Sequence, residues 1–130
     1  MKKTLILLLA FLPLTLIGQE LKCCNSEKEI EIFLSGDWKK NDSDLNRLYR
    51  FEFNNGTGKF KVFVINEDGT LKLVEENLPD IKILKTKKGF EIAHNFDGLK
   101  TYSGIKFLDS TKLIITRLDG AESEYYKIAD

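Results

Sequence analysis

LYRFEFNNGTGKFKVFVINEDGTLKL, residues 48–73, contains three runs in which apolar and polar side chains alternate. Alternation with a period of two is typical of β-strands that bury one face. Residues 54–58 separate the first two runs and residues 67–70 separate the last two, and both segments are rich in Asn, Asp and Gly, which suit tight turns. We therefore predict two successive antiparallel hairpins here.

The same pattern continues toward the C-terminus, where tight turns separate five further runs. Pro79 ends the third run of the opening stretch, because proline cannot donate to a strand ladder. The later runs are residues 81–86, 90–96, 99–108, 112–118 and 122–128. Upstream, Ser26 and Glu29 form a capping-box pattern, which predicts a short helix over residues 27–34.

No connection between these runs is long enough to hold a parallel crossover helix, so the strands form an antiparallel meander. An open meander of this length would leave two unpaired edges, which closure removes. The sequence predicts an all-β domain over residues 27–130, an up-and-down antiparallel β-barrel of about eight strands with a short N-terminal helix. A β-sandwich is the alternative.

The first 18 residues differ from the rest. Lys2 and Lys3 precede an apolar run at residues 5–17, and Gly18 returns the chain to polar composition. This order is typical of a secretory signal peptide, and the run is shorter than the roughly 20 residues that a transmembrane helix needs. We predict cleavage near Gly18, export to the periplasm or the extracellular space, and no integral membrane span afterwards.

Residues 19–26 are expected to form an N-terminal tail that carries Cys23 and Cys24. Export permits disulfides, but adjacent cysteines join only through a strained ring, so free or intermolecularly paired thiols are expected. Two thiols without nearby histidines fall short of a structural zinc site.

Charge excludes one class of partner. The chain has 20 Lys+Arg and 20 Asp+Glu, and removal of Lys2 and Lys3 with the signal peptide leaves 18 basic against 20 acidic residues. A near-neutral domain has no electrostatic footprint for nucleic acid.

Gly36-Asp37-Trp38, at the end of the predicted helix, carries a family resemblance together with residues 102–108, 113–115 and 125–127. Together these segments resemble small bacterial lipocalin-like domains. The resemblance implies that Gly36 lets the chain bend sharply into the barrel and that Trp38 plugs one end. It also implies a cation over the indole, for which Arg117 is the first candidate and Lys127 the second.

Alternation assigns one set of apolar residues to the barrel interior, which either fills with side chains or holds one small ligand. The set is Phe51, Phe53, Phe60, Val62, Val64, Leu71, Leu73, Ile81, Ile83, Phe90, Ile92, Ile105, Phe107, Leu113 and Ile115. Phe63, Ile65 and Ile114 fall on the outer face, where they either pack under the helix or form a partner surface.

Five residues are candidates to bind a ligand: Phe51, Phe53, Phe90, His94 and Tyr102. His94 shares the alternation of Phe90 and Ile92, so its side chain points inward, where it either hydrogen-bonds a ligand or is satisfied by a backbone group. It is the only histidine, so no imidazole cluster can hold a metal.

The remaining polar residues give no sign of catalysis. The acidic residues do not pair in a way that suits acid–base chemistry, and no serine lies in a nucleophile-elbow context. We predict a non-enzymatic, cofactor-free exported protein that binds a small apolar ligand within the barrel. The alternative is a periplasmic interaction protein, of the inhibitor or immunity type, that acts on a protein partner through its surface.

Overall fold

The computed structural model describes residues 21–41, 46–74 and 78–128, so the predicted signal peptide lies outside the described residues. Within them, one helix precedes nine strands. The helix is α1 (Glu27–Leu34), and the strands are β1 (Gly36–Lys40), β2 (Arg47–Asn54), β3 (Thr57–Ile65), β4 (Leu71–Leu73), β5 (Asp80–Thr86), β6 (Gly89–Phe96), β7 (Leu99–Leu108), β8 (Lys112–Thr116) and β9 (Glu122–Lys127). In α1, the Ser26 hydroxyl accepts a hydrogen bond from the Glu29 N–H at 3.2 Å, as the capping-box pattern predicts.

The sheet closes into a barrel. The strand order is β2-β1-β9-β8-β7-β6-β5-β3-β4, and β2 also pairs with β3. Eight strands therefore form a closed antiparallel ring, and the short β4 lies outside it as an extension along β3. The predicted up-and-down barrel is confirmed, and the β-sandwich alternative is wrong.

Strand β3 has two different neighbours on one side. Its beginning pairs with β5 through Gly58 and Ile81, and its end pairs with β4 through Phe63 and Leu73. Strands β4 and β5 thus follow one another along β3, and Pro79 lies in the break between them. In the part of the chain that the structure describes, β4 pairs with β3 alone.

One end of the barrel is closed by α1 and Trp38. The indole is fully buried, and its Nε1–H donates to the Leu34 carbonyl at 2.8 Å, in the last turn of the helix. Ile30 and Leu34 of the helix are fully buried in the same hydrophobic cluster. Buried apolar side chains are thus concentrated where the helix covers the barrel.

The cation over the indole is Lys127, and Arg117, the first candidate, is wrong. Lys127 Nζ lies 4.8 Å from the centre of the Trp38 ring and donates to the carbonyls of Phe33 and Ser35. Strand pairing explains this placement, because Trp38 is directly opposite Lys127 in the β1–β9 ladder. Arg117 follows β8 at the turn into β9 and pairs with the exposed Asp119 at 3.7 Å.

The segment before the helix is not a free tail. Leu21 and Cys24 are buried in the core cluster, and the Cys24 N–H donates to the Leu21 carbonyl at 3.2 Å. Cys23 and Cys24 form a disulfide with each other, so the expectation of free or intermolecular thiols is wrong. The apolar side chains of this segment add to the cover at the helix end of the barrel.

Alternation fails at one position in β7. A β-bulge shifts the register of the β7–β8 pair between Ile105 and Phe107. The extra residue turns Phe107 outward, with 37% exposure, and places Leu108 in the core at 2%. The assignment of Phe107 to the interior is therefore wrong.

Leu71 and Leu73 also lie outside the barrel, contrary to expectation. They pair with Ile65 and Phe63, which alternation places on the outer face, and residues directly opposite in a ladder share a face. Both leucines are accordingly exposed. Helix α1 packs mainly against β5 and β7, so it does not provide the cover expected for this outer face.

Candidate functional site

Burial along β6 changes from one end of the barrel to the other. Its inward side chains are Phe90, 6% exposed, Ile92, fully buried, His94, half-buried, and Phe96, 44% exposed. These four residues alternate along one strand and face the same side. The barrel interior is therefore filled at the α1 end and opens to solvent near the β6–β7 turn.

Toward the same open end, the inward side chains of strands β2 and β3 also become more exposed. Phe51 is buried, whereas Tyr49, two residues closer to the beginning of β2, is half-buried although it faces inward. Phe60 and Val62 pair with Phe51 and Tyr49, so they face inward too, and both are half-buried. Inward side chains that stay partly exposed border a space that solvent reaches. We call this space the mouth hollow and define it by Tyr49, Phe60, Val62, His94 and Tyr125.

Five rings form a continuous wall in the mouth hollow. Tyr49 stacks near-parallel on Phe60, with 6.1 Å between ring centres, and meets Tyr125 edge-on at 5.4 Å. Phe60 meets His94 edge-on at 6.3 Å, and His94 stacks on Phe96 at 6.5 Å. These separations are those of favourable ring pairs. We call Tyr125, Tyr49, Phe60, His94 and Phe96 the ring wall.

The floor of the mouth hollow is apolar. Phe51 contacts Phe60 of the ring wall at 5.0 Å between ring centres and is itself buried. Ile81, directly opposite His94 in the β5–β6 ladder, is also buried. A ligand that entered from the mouth would meet hydrocarbon at the bottom and rings along one side.

His94 supplies the imidazole ring of this wall. Burial lowers the pKa of its imidazole below the ordinary value of 6.5, because a half-buried site disfavours the charged form. The imidazole is therefore neutral at pH 7 and offers one N–H donor and one nitrogen acceptor.

Strand β7, the neighbour of β6, carries hydroxyl groups beside His94 and Ile92. His94 pairs with Thr101 and Ile92 pairs with Ser103, so both hydroxyl side chains face inward, and both are half-buried. Tyr102 lies between them and therefore points outward, with 39% exposure. Tyr102, a predicted ligand-binding candidate, therefore does not face the mouth hollow.

The other predicted candidates lie at different depths. Phe90 and Phe51 belong to the buried cluster below the mouth hollow, and Phe53 packs against that cluster near the opposite rim. The Phe53 ring covers Gly58, where an added Cβ would lie 2.6 Å from the ring. Of the five candidates, His94 alone lies in the ring wall, and Phe51 forms part of its floor.

Sequence reasoning missed Tyr49 and Tyr125. The alternation that assigned Phe51 and Phe53 to the interior extends to Tyr49 and was available in the sequence. Tyr125 needed the pairing of β9 with β1, which brings it opposite Lys40 and which no local pattern specifies.

No metal or membrane-spanning site accompanies the hollow within residues 21–41, 46–74 and 78–128. There, no group of three His, Cys, Asp or Glu side chains is arranged to hold a metal ion. Over the same ranges, no helix combines the length and the hydropathy needed to cross a membrane.

No protein-family model and no curated protein matches this chain. Among solved structures, it is similar to bovine odorant-binding protein in a complex with undecanal. The identity is 20%, the match covers 86% of this chain and 79% of that chain, and the TM-score is 0.40. At these values the likeness does not bear on the function of this chain.

Proposed function

We propose that this protein is an exported, non-enzymatic, lipocalin-like barrel that binds a small apolar molecule in the mouth hollow. The observation that carries the proposal is the burial gradient. Most apolar side chains that face the interior beside α1 are buried, with Phe53 as a partly exposed exception, and those in the ring wall remain partly exposed. A concave, mostly apolar space with a few polar groups is the usual form of a small-molecule site.

The chemistry of the lining supports binding rather than catalysis. The ring wall and its floor supply apolar surface, and His94, Thr101 and Ser103 supply polar groups. His94 pairs with Ile81 and Thr101, and Ser103 pairs with Ile92. None of these ladder partners supplies a carboxylate to the imidazole or the hydroxyls. Such a set can orient a ligand, whereas an activated nucleophile needs a base that is itself oriented by a third group.

Binding can be tested with N-phenyl-1-naphthylamine, a neutral probe whose fluorescence rises in apolar surroundings. We expect saturable binding of one probe per chain. In Val62→Trp, an indole from an inward position of β3 would fill the mouth hollow and weaken probe binding at least about tenfold. Lys61→Trp places the same side chain on the outer face of the same strand and should leave probe affinity unchanged.

Two outcomes would contradict the proposal: absence of saturable probe binding, or equal loss in both variants. Circular dichroism and urea unfolding of the variants establish that each remains folded. This control is needed because overpacking by a large side chain costs about 1–3 kcal/mol.

Export rests on the sequence of residues 1–18 and is tested separately. Expression of the whole chain in a Gram-negative host, followed by N-terminal sequencing of the periplasmic fraction, should give a mature protein that begins near Gln19. Leu8→Arg interrupts the apolar run and should keep the full-length chain in the cytoplasm. Recovery of uncleaved protein from both compartments would contradict the export proposal and leave the binding proposal standing.

A further inference from the structure

His94 lies in a mostly apolar neighbourhood. Its ring lies between Phe60 and Phe96, and its partners across the ladders are Ile81 on β5 and Thr101 on β7. Within residues 21–41, 46–74 and 78–128, no hydrogen bond to the imidazole nitrogens is found, and burial is the sole cause of the lowered pKa. A half-buried imidazole in this setting is therefore free to bond a group that enters the hollow.

The residues in direct contact or in register with His94 favour a neutral partner at its ring. None of the four residues that contact or pair with it carries a charge. A carboxylate or an ammonium group bound there would lose its hydration among aromatic rings, which is costly unless a counter-charge is present. A hydroxyl or carbonyl group loses much less hydration free energy on entering the hollow. One hydrogen bond to the imidazole compensates for that loss.

The ring wall favours a planar aromatic ligand over an aliphatic one of equal size. Tyr49 meets Phe60 at a ring separation of 6.1 Å and Tyr125 at 5.4 Å, and all three inward-facing side chains are half-buried. An aromatic ring placed against them gains ring–ring contacts beyond the gain from area alone.

We infer that the mouth hollow takes a neutral, planar aromatic molecule that carries a hydroxyl or carbonyl group, with its rings against Tyr49 and Phe60 and its polar group hydrogen-bonded to His94. This inference rests on the proposed function, since it names the class of ligand for the same hollow. It also gives His94 a specific part as the residue that selects ligands by their polar group.

The test compares three ligands of one shape: 2-naphthol, 2-methylnaphthalene and 2-naphthoate. Hydroxyl and methyl are nearly isosteric, so the ratio of the first two affinities isolates the hydrogen bond. Each ligand displaces N-phenyl-1-naphthylamine from the wild-type protein, His94→Phe, His94→Gln and Tyr102→Phe. Tyr102→Phe removes a hydroxyl from the outer face and serves as the matched control.

We expect His94→Phe to weaken 2-naphthol about three- to tenfold and to leave 2-methylnaphthalene unchanged, the range expected for one hydrogen bond. His94→Gln keeps a donor and an acceptor and should preserve the preference, and Tyr102→Phe should behave as wild type. 2-Naphthoate should bind more weakly than 2-naphthol to the wild-type protein.

Three results would overturn the inference: an unchanged 2-naphthol to 2-methylnaphthalene ratio in His94→Phe, tightest binding of 2-naphthoate, or failure of all three compounds to displace a bound probe. Each leaves the proposed function intact, because the probe itself still binds. Failure of the probe to bind the wild-type protein contradicts the proposed function instead.

Discussion

Lys127→Met tests how the barrel end is held closed. The substitution keeps the aliphatic stem but removes the charge above Trp38 and the donor to the Phe33 and Ser35 carbonyls. A partly buried cation–π contact is worth about 1–2 kcal/mol, and a hydrogen bond from a charged group about 1.5–3 kcal/mol. Water can reach the half-buried carbonyls of Phe33 and Ser35 and replace part of the lost hydrogen bonding. We therefore expect the free energy of unfolding to fall by about 2 kcal/mol.

The assay is urea unfolding monitored by the fluorescence of Trp38, which is the sole tryptophan and is fully buried. For a domain of this size, urea lowers the free energy of unfolding by about 1–2 kcal/mol per molar, so the midpoint should fall by about 1–2 M. Arg117→Met is the matched control. Its ion pair with Asp119 is exposed, so removal should change stability by less than about 0.5 kcal/mol.

Equal losses in the two variants, or a larger loss in Arg117→Met, would refute this account of the closed end. Unchanged stability of Lys127→Met would also refute it, because the contacts to the indole and to the helix carbonyls would then contribute nothing.

Further substitutions test the bulge, the entry glycine and the imidazole. The bulge places Leu108 in the core and Phe107 on the surface. Leu108→Ala should therefore lower the free energy of unfolding by about 2–5 kcal/mol, and Phe107→Ala by less than about 1 kcal/mol. Calorimetry of the two variants measures this difference. Gly36→Ala should cost about 1–3 kcal/mol in urea unfolding, because Gly36 has φ +123° and an added Cβ would lie 2.9 Å from Lys127 Cε. The pKa of His94 is lower in the folded than in the unfolded chain, so the unfolded state binds the proton more readily, and stability should decrease as the pH falls below about 6.5 toward the folded-state pKa. His94→Gln should flatten this decrease, seen as a smaller difference between urea midpoints at pH 8 and pH 5, and an identical pH dependence in both proteins would contradict it.

Local patterns were sufficient to predict most of the fold. Alternation located the strands, turn residues located the hairpins, and the serine and glutamate of the capping box located α1. These signals are carried by residues close together in the chain, so tertiary contacts do not change them. Because open sheet edges are unfavourable, a meander of this length predicts a closed barrel.

Errors appeared where pairing between distant residues decides a side chain's direction. Phe107 follows the alternation of β7, but the bulge opposite β8 reverses it. Leu71 and Leu73 alternate as an interior pair would, yet their register against β3 places them outside. A shift of one residue exchanges the two faces of a strand, and the sequence of the strand itself does not report that shift.

The candidate site was predicted in part for the same reason. His94 was identified because it shares a local alternation with Phe90, while Tyr125 needed the pairing of β9 with β1. Lys127, rather than Arg117, lies over Trp38 through that same pairing. Partners across a ladder of distant strands become visible only when the register is known.

The fold needs only an apolar ring at position 94, whereas the proposed binding site needs the imidazole of His94. Phe90, Ile92 and Phe96 make the inward face of β6 apolar, and a phenylalanine at position 94 would continue that face while it kept the ring contacts to Phe60 and Phe96. An imidazole there adds two polar nitrogens that make no hydrogen bond to the described residues, and burial lowers its pKa because it disfavours the protonated form. Departures from local pattern that stability does not explain are expected at functional sites. The buried cluster lies toward α1, so the imidazole of His94 does not interrupt the core. It lies instead near the open end of the barrel, where a ligand that enters from solvent would first meet the protein.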